Sequence, residues 1–222
     1  MADIKEKWDD LHKLPRFRPQ YPSESVVRFL FGNFPTDLKQ RKRLKILDIG
    51  CGGGRHVKLF AEQGFDTYGT DLSGEGIRQT QIMLDKHNLT AELIQGDMTH
   101  LLYEDNLFDG IVSFGVFYYT DSAGMKKAIG ELYRVLKKNG KALIQTRTTD
   151  DYRFGKGREI ERNTFILDIE ETNELGMPGH FLTKEDIYDY FSKFKKINLE
   201  RNDFTSNNLN LLNSDWVITV EK

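Results

Sequence analysis

The chain has 222 residues, 38% hydrophobic and 30% charged, with a formal net charge of -2 and a pI near 6.2. That length supports a full hydrophobic core, and a chain with no global basic excess is poorly suited to duplex DNA, so a small molecule is the expected partner and RNA is disfavoured. The single cysteine, Cys51, excludes an internal disulfide and a cysteine-based zinc site, and no histidine spacing suggests another metal centre. The N-terminus has no apolar signal-peptide core, and no run approaches the ~20 apolar residues of a bilayer span, so no membrane partner and a cytoplasmic location are expected.

Residues 1–43 precede the first β-like run. They hold a helical piece around Trp8, the turn-rich P-R-F-R-P-Q-Y-P, and a Ser23-capped helix through about Phe31. Leu44 to Ile49 is short, apolar and β-rich, and reads as a buried strand running into glycines. A helix is predicted from Arg55 to Gln63, a strand from Phe65 to Thr70, and a Ser73-capped helix through about Asn88. Strands follow at Ala91 to Gln95 and Phe108 to Phe114. The helix from Ser122 to Lys138 carries Ala128, Ile129, Leu132, Val135 and Leu136 on one face and is stopped by Asn139-Gly140. Lys141 to Thr146 is a fifth strand. Residues 148–182 break the alternation; Thr183 then caps a helix to Phe191, and two β-like runs close the chain, Lys195 to Glu200 and Asp215 to Glu221.

Strand and helix alternating in this way predict parallel βαβ units with right-handed crossovers. The expected architecture is one α/β domain. Residues 1–43 form an N-terminal helical lid, 44–147 the ligand-binding core, 148–182 a substrate-binding insertion, and 183–222 a C-terminal helix and strands.

The strongest local signal is D-I-G-C-G-G-G, Asp48 to Gly54, between a strand and a helix. Glycines let a backbone approach a ligand closely, and ligands in such sheets bind beyond the carboxyl ends of the strands. A dinucleotide fingerprint read from Gly50 would place its third glycine at Arg55, which weighs against pyrophosphate and a nicotinamide oxidoreductase. Two more acids close the next two strands: Asp71, placed to accept from ribose hydroxyls, and Asp97 in G-D-M, with Met98 beside a ring. Three strand-end acids suit a ligand that carries positive charge and no phosphate.

I-L-D-I-G-C-G-G-G-R-H, G-T-D-L-S, Q-G-D-M, F-D-G-I-V-S-F-G-V-F-Y-Y and E-L-Y-R-V-L-K-K-N-G-K-A-L-I together resemble the successive motifs of the class I, seven-stranded S-adenosylmethionine-dependent methyltransferases. The resemblance spans residues 44–147. It implies a Rossmann-like, mostly parallel sheet with the last strand antiparallel, and S-adenosylmethionine as methyl donor, leaving S-adenosylhomocysteine. It implies Asp48, Gly50, Cys51 and Gly52 at the methionine part, Asp71 and Leu72 at the ribose, Asp97 and Met98 at the adenine, and Ser113 and Phe114 on the far side. The N/D-P-P-Y type motif found in methyltransferases acting on ring or amide nitrogens is absent here.

Transfer of a methyl group from a sulfonium is an in-line displacement, helped chiefly by positioning; a base is needed only if the acceptor loses a proton. His180, Tyr118 and Tyr119 are the candidate bases. Arg16, Tyr152, Arg153, Lys156 and Arg158 are the candidate acceptor-binding residues, pointing to a phosphate- or carboxylate-bearing metabolite methylated on N or O. Arg18 and Tyr21 are expected to touch the cofactor, and Trp8 to cover it. An RNA or protein methyltransferase, and a non-catalytic nucleoside-binding module, are the competing readings.

Overall fold

The computed structural model describes residues 2–222. The nucleotide-type half forms from local units. β1 (Lys45–Ile49), α4 (Arg55–Glu62), β2 (Asp66–Asp71), α5 (Gly74–Lys86), β3 (Glu92–Gln95), β4 (Phe108–Phe114), α6 (Ser122–Val135) and β5 (Leu136–Arg147) follow in order. Before them lie α1 (Ala2–Lys13), a 3-10 turn at Pro15–Phe17, α2 (Glu24–Asn33) and the short α3 (Leu38–Arg41). After them come β6 (Gly157–Glu161), β7 (Thr164–Leu167), β8 (Pro178–His180), α7 (Lys184–Tyr190), β9 (Lys196–Ser206) and β10 (Leu211–Glu221).

Seven strands make one sheet in the order β3-β2-β1-β4-β5-β10-β9. β1 to β5 pair in parallel, while β10 runs antiparallel to both β5 and β9. Side chains alternate between the two faces, as the period of two requires. Leu47, Ile111, Ala142, Ile144 and Ile218 pack against Leu132 of α6 and Ile187 of α7. Ile46, Val112, Leu143 and Val217 pack against Val26, Phe29 and Leu30 of α2 and Phe60 of α4. The sheet is thus a filling between two helical layers, and its strand ends open onto the loops that carry the site.

Caps behave as their chemistry predicts at two of three places. The Ser73 hydroxyl accepts from the Gly76 N–H at 2.9 Å, and Thr183 forms a capping box with Asp186. Ser23 precedes α2 as expected, but its hydroxyl bonds to Ser25 and makes no cap bond.

Three stretches depart from the sequence reading by more than a residue or two. α6 stops at Val135, because Leu136 is already extended and pairs with Phe108; Asn139, at φ +61°, then takes up an irregularity inside β5. The segment from Arg201 to Trp216 does not link two short strands. It is the end of β9, a tight turn and the start of β10, with Asn207, Asn208 and Leu209 all at positive φ. Asparagine tolerates that conformation better than most residues. Residues 148–182 hold a three-stranded antiparallel sheet, β6-β7-β8, around Phe165, Leu167, Ile169 and Phe181.

Candidate active site

One large cavity, about 810 Å³, lies at the carboxyl ends of β1, β2, β4 and β5. Its floor is the glycine loop. Gly50 and Cys51 donate their N–H groups to the Thr70 carbonyl at 2.7 and 3.0 Å, which sets the loop across the top of β2. Gly50 has φ +75°, and a Cβ there would lie 2.2 Å from a Val116 methyl. The Asp71 carboxylate accepts from Gly52 N–H at 2.7 Å and from Ser73 N–H at 2.8 Å. Burial pushes its carboxyl up, against the pull of nearby His12 and of those two amides. Asp97 accepts from the Thr99 N–H at 2.7 Å and lines the cavity beside Met98.

α1 closes one side. Asp9 accepts from the Ser73 hydroxyl at 2.6 Å and from the Glu75 N–H at 3.1 Å, docking the helix on the start of α5. A carboxylate there also meets the positive end of the α5 dipole. The Trp8 ring meets Tyr119 edge-on at 4.9 Å, and His12 stacks beneath Trp8 against Gly52 and Gly76.

The far wall comes from β5, β10 and the insertion. Arg147, 5% exposed, lies over the Tyr118 ring at 4.1 Å and donates to Glu174 at 2.5 Å. Tyr119 donates its hydroxyl to the same Glu174 oxygen at 3.0 Å. Arg153 donates to both oxygens of Asp151 at 2.9 and 3.0 Å and to Glu174 at 3.0 Å. Burial works against the Glu174 charge, but Arg147 and Arg153 hold its carboxyl below the usual range.

Of the residues expected at the site, Gly50, Cys51, Gly52, Asp71, Leu72, Asp97, Met98, Phe114, Tyr118, Tyr119, Trp8, Arg16 and Arg153 line this cavity. Others do not. Asp48 is buried beneath the loop, its carboxylate 3.8 Å from His56. Ser113 is fully buried below the cavity floor. Arg18 lies over Gly53 but sends its guanidinium to Gln79 and the Lys13 carbonyl. Tyr21 is 81% exposed and Arg158 stands exposed on β6, both away from the cavity. Tyr152 stacks on Arg153, with Lys156 on the same ring, outside the lining. The basic, aromatic insertion therefore does not converge on one anion site.

His180 is placed elsewhere. It lines a separate pocket of about 270 Å³ with Ser122, Glu161, Arg162, Asp186 and Tyr190. Its Nδ1 shares a hydrogen bond with the Thr164 hydroxyl at 2.6 Å and its Nε2 one with the Tyr190 hydroxyl at 3.1 Å. Burial lowers its pKa, so the ring stays neutral as a cross-link between β7, β8 and α7. His180→Ala is expected to lower stability by about 1–3 kcal/mol and to leave cofactor affinity unchanged; denaturant unfolding and calorimetry on the same variant check both halves. Burial holds Tyr118 and Tyr119 protonated, which suits hydrogen-bond donors and ring surfaces rather than bases. Burial likewise pushes the Cys51 thiol well up, leaving it a small, inert residue of the loop.

The sequence reading missed His12, Gln145, Arg147, Asn213 and Asp215, all of which line the cavity. A signal existed for two of them. On β5, the buried apolar run Ala142, Leu143 and Ile144 gives way to Gln145, Thr146 and Arg147, three polar residues at the carboxyl end of the strand.

Residues 46–140 match the family model of a methyltransferase domain. The ubiquinone biosynthesis O-methyltransferase of Rickettsia typhi is 26% identical over 211 residues, covering 94% of this chain and 78% of that protein. Its namesake from Pelagibacter ubique is 25% identical over 228 residues, covering 98% and 89%. A solved SAM-dependent methyltransferase from Methanosarcina mazei has the same fold, with a TM-score of 0.71 at 20% identity over 87% of this chain and 96% of that one.

The cavity suits S-adenosylmethionine on its own terms. Both Asp48 oxygens are buried without a hydrogen-bond partner among the described residues, with His56 the nearest basic group at 3.8 Å. With Asp71 and Asp97, Asp48 makes the floor favour a cation, and the donor carries both a sulfonium and an ammonium. Asp71→Ala is expected to weaken S-adenosylhomocysteine binding by about 1–3 kcal/mol, read by calorimetry with NADH as control; unchanged affinity would remove Asp71 from the cofactor site. Motif order, strand order and the matched domain agree: the chain is similar to the class I, S-adenosylmethionine-dependent methyltransferases, with residues 46–140 as its methyltransferase domain.

Proposed function

We propose that the enzyme methylates an oxygen atom of a small, weakly acidic acceptor. The observation that carries this reading is the shape and chemistry of the large cavity. At about 810 Å³ it lies within the range of small-molecule sites, and its far wall is a rigid, polar corner of the sheet rather than an open groove. The relatives from Rickettsia typhi and Pelagibacter ubique bear the name O-methyltransferase, which supports oxygen as the nucleophile.

All three kinds of guanidinium nitrogen of Arg153 already donate within the protein. Arg16, Arg55, Lys127 and Arg147 also line the cavity, and they can meet a negative group on the acceptor. Bound S-adenosylmethionine supplies the electrophilic methyl group. The chain's own residues hold the acceptor in line with it, and α1, through Trp8 and His12, keeps water from the joint cavity.

The test is transfer of radiolabelled methyl from S-adenosylmethionine to catechol and to 3,4-dihydroxybenzoate, with benzylamine and total RNA as competitors. Label on the phenols supports the reading. Label on benzylamine or RNA alone overturns it.

A further inference from the structure

Antiparallel pairing sets Arg147 directly opposite Asp215, and Gln145 opposite Val217. Leu143, Gln145 and Arg147 therefore share one face of β5, while Val217, Asp215 and Asn213 share that face of β10. The lower pair, Leu143 and Val217, packs on α2. The upper four are polar and line the cavity.

Two atoms of this wall are buried with no hydrogen-bond partner among the described residues: Arg147 Nη1, a donor, and Gln145 Oε1, an acceptor. Buried polar atoms are nearly always satisfied, so such a pair marks a place where a ligand completes the bonding. Asp215 is the register partner of Arg147 and lines the same cavity. The nearby arginines hold other acids, Arg147 on Glu174 and Arg153 on Asp151 and Glu174, which leaves the half-buried Asp215 carboxylate without a salt bridge among the described residues.

We propose that Asp215 is the general base of the reaction, taking the proton of the acceptor hydroxyl while Arg147 Nη1 donates to the oxygen as it becomes negative. The inference rests on the oxygen-methylation reading above. The O–H proton passes to a carboxylate oxygen of Asp215, and its bonding pair stays on the acceptor oxygen. A lone pair of that oxygen forms the new O–C bond, while the methyl–sulfur bond breaks and leaves its pair on a now neutral sulfur. Asp215 then returns the proton to water.

The groups facing Asp215 set its proton affinity. Burial pushes its carboxyl up to about 6, helped by Asp151; Arg147, the Gln145 amide and Arg153 pull it down. Tyr118 lines the same cavity and is raised in part by the Asp215 charge, and Asn202 is the register partner of Asp215 on β9. A base with a value near the working pH is the efficient one. The other acids of this wall are poorer: Glu174 is held by two arginines, and Asp151 by Arg153 and the Ser214 N–H. His12 stands on the cofactor side, against Gly52 and Gly76.

Two measurements test this. The first is a carbon-13 carboxylate titration of wild type and Asp215→Asn, each saturated with S-adenosylhomocysteine. A resonance titrating near 6 that the variant lacks supports the inference; ordinary titration of every aspartate below about 4.5 overturns it, whatever the acceptor. The second is turnover of catechol against pH. Wild-type kcat should rise with pH through about 6 and level off above it. Asp215→Asn should lose about 10²–10⁴-fold in kcat and lose that rise, with S-adenosylhomocysteine affinity within twofold of wild type, and Asp215→Glu should recover part of both. Catechol turnover by Asp215→Asn at the wild-type rate and profile overturns the role of Asp215 alone. Wild-type turnover of benzylamine but not catechol overturns the oxygen reading, and this inference with it.

Discussion

Arg147→Ala is expected to cost about 3–5 kcal/mol of stability, the usual result of removing one partner of a buried ion pair. Glu174 would be left 4% exposed, with Arg153, the Thr172 hydroxyl and the Tyr119 hydroxyl as its remaining partners. The rings of Tyr118 and Tyr119 would also lose the cation above them. The pH dependence checks the cause. In the wild type Glu174 lies below its ordinary value, so its contribution is present above that value and is lost as pH falls through the lowered one. In the variant burial outweighs the remaining partners and the carboxyl rises. The deficit should then shrink as pH falls from about 7 toward 5, because protonation relieves the unpaired charge. Urea unfolding at several pH values measures this. The double variant Arg147→Met with Glu174→Gln should recover much of the loss, since both members of the pair are then neutral. A deficit that does not change with pH would mean that packing, not charge, dominates.

Gly50→Ala is expected to combine a loss of stability with a loss of cofactor. A residue with a Cβ pays ~1–2 kcal/mol in the left-handed region, and Gly50 is at φ +75°. The added methyl would meet Val116 at 2.2 Å, so one of them must move; overpacking of that kind typically costs ~1–3 kcal/mol. Val116 itself lines the cavity, and its β-branched side chain has few rotamers to escape into. The sum is about 2–5 kcal/mol in urea unfolding. A fall of at least about tenfold in S-adenosylhomocysteine affinity should accompany it, because the Gly50 and Cys51 amides that fix the loop on Thr70 shift together. Affinity retained in a destabilised variant would show that the loop adapts, and that Gly50 matters for folding alone.

The cofactor half was legible because local rules govern it. Buried strands read as apolar runs, Ser73 and Thr183 cap where they should, and Asp48, Asp71 and Asp97 fall at or just beyond consecutive strand ends. The acceptor half was not, because pairing distant in sequence makes it. Arg147 and Asp215 are neighbours only through the β5–β10 register, and Glu174 joins them from the stretch between β7 and β8. The outer half of β9 hid for another reason. Lys196 to Glu200 alternates and reads as a strand, but from Arg201 onward this edge strand is exposed throughout and has no alternation of burial to read. β6, exposed over most of its length, gave no pattern either. The basic residues of the insertion were visible, but their partners were not: Asp151, Glu174 and Asn213 claim Arg153, and Tyr152 takes the stack. His180 looked functional from its place near a helix start, which says nothing about which pocket it enters.

The place of β10 between β5 and β9 also orders events during synthesis. A ribosome has delivered every strand of the cofactor half by Arg147, and those βαβ units can fold on one another as they emerge. β5 then waits with an open edge until Leu211 to Glu221 arrive, and long-range pairing of this kind is slow. Over that interval the polar corner of Gln145, Arg147, Asn213 and Asp215 does not yet exist. The exposed β5 edge is also where a chaperone would have most to protect.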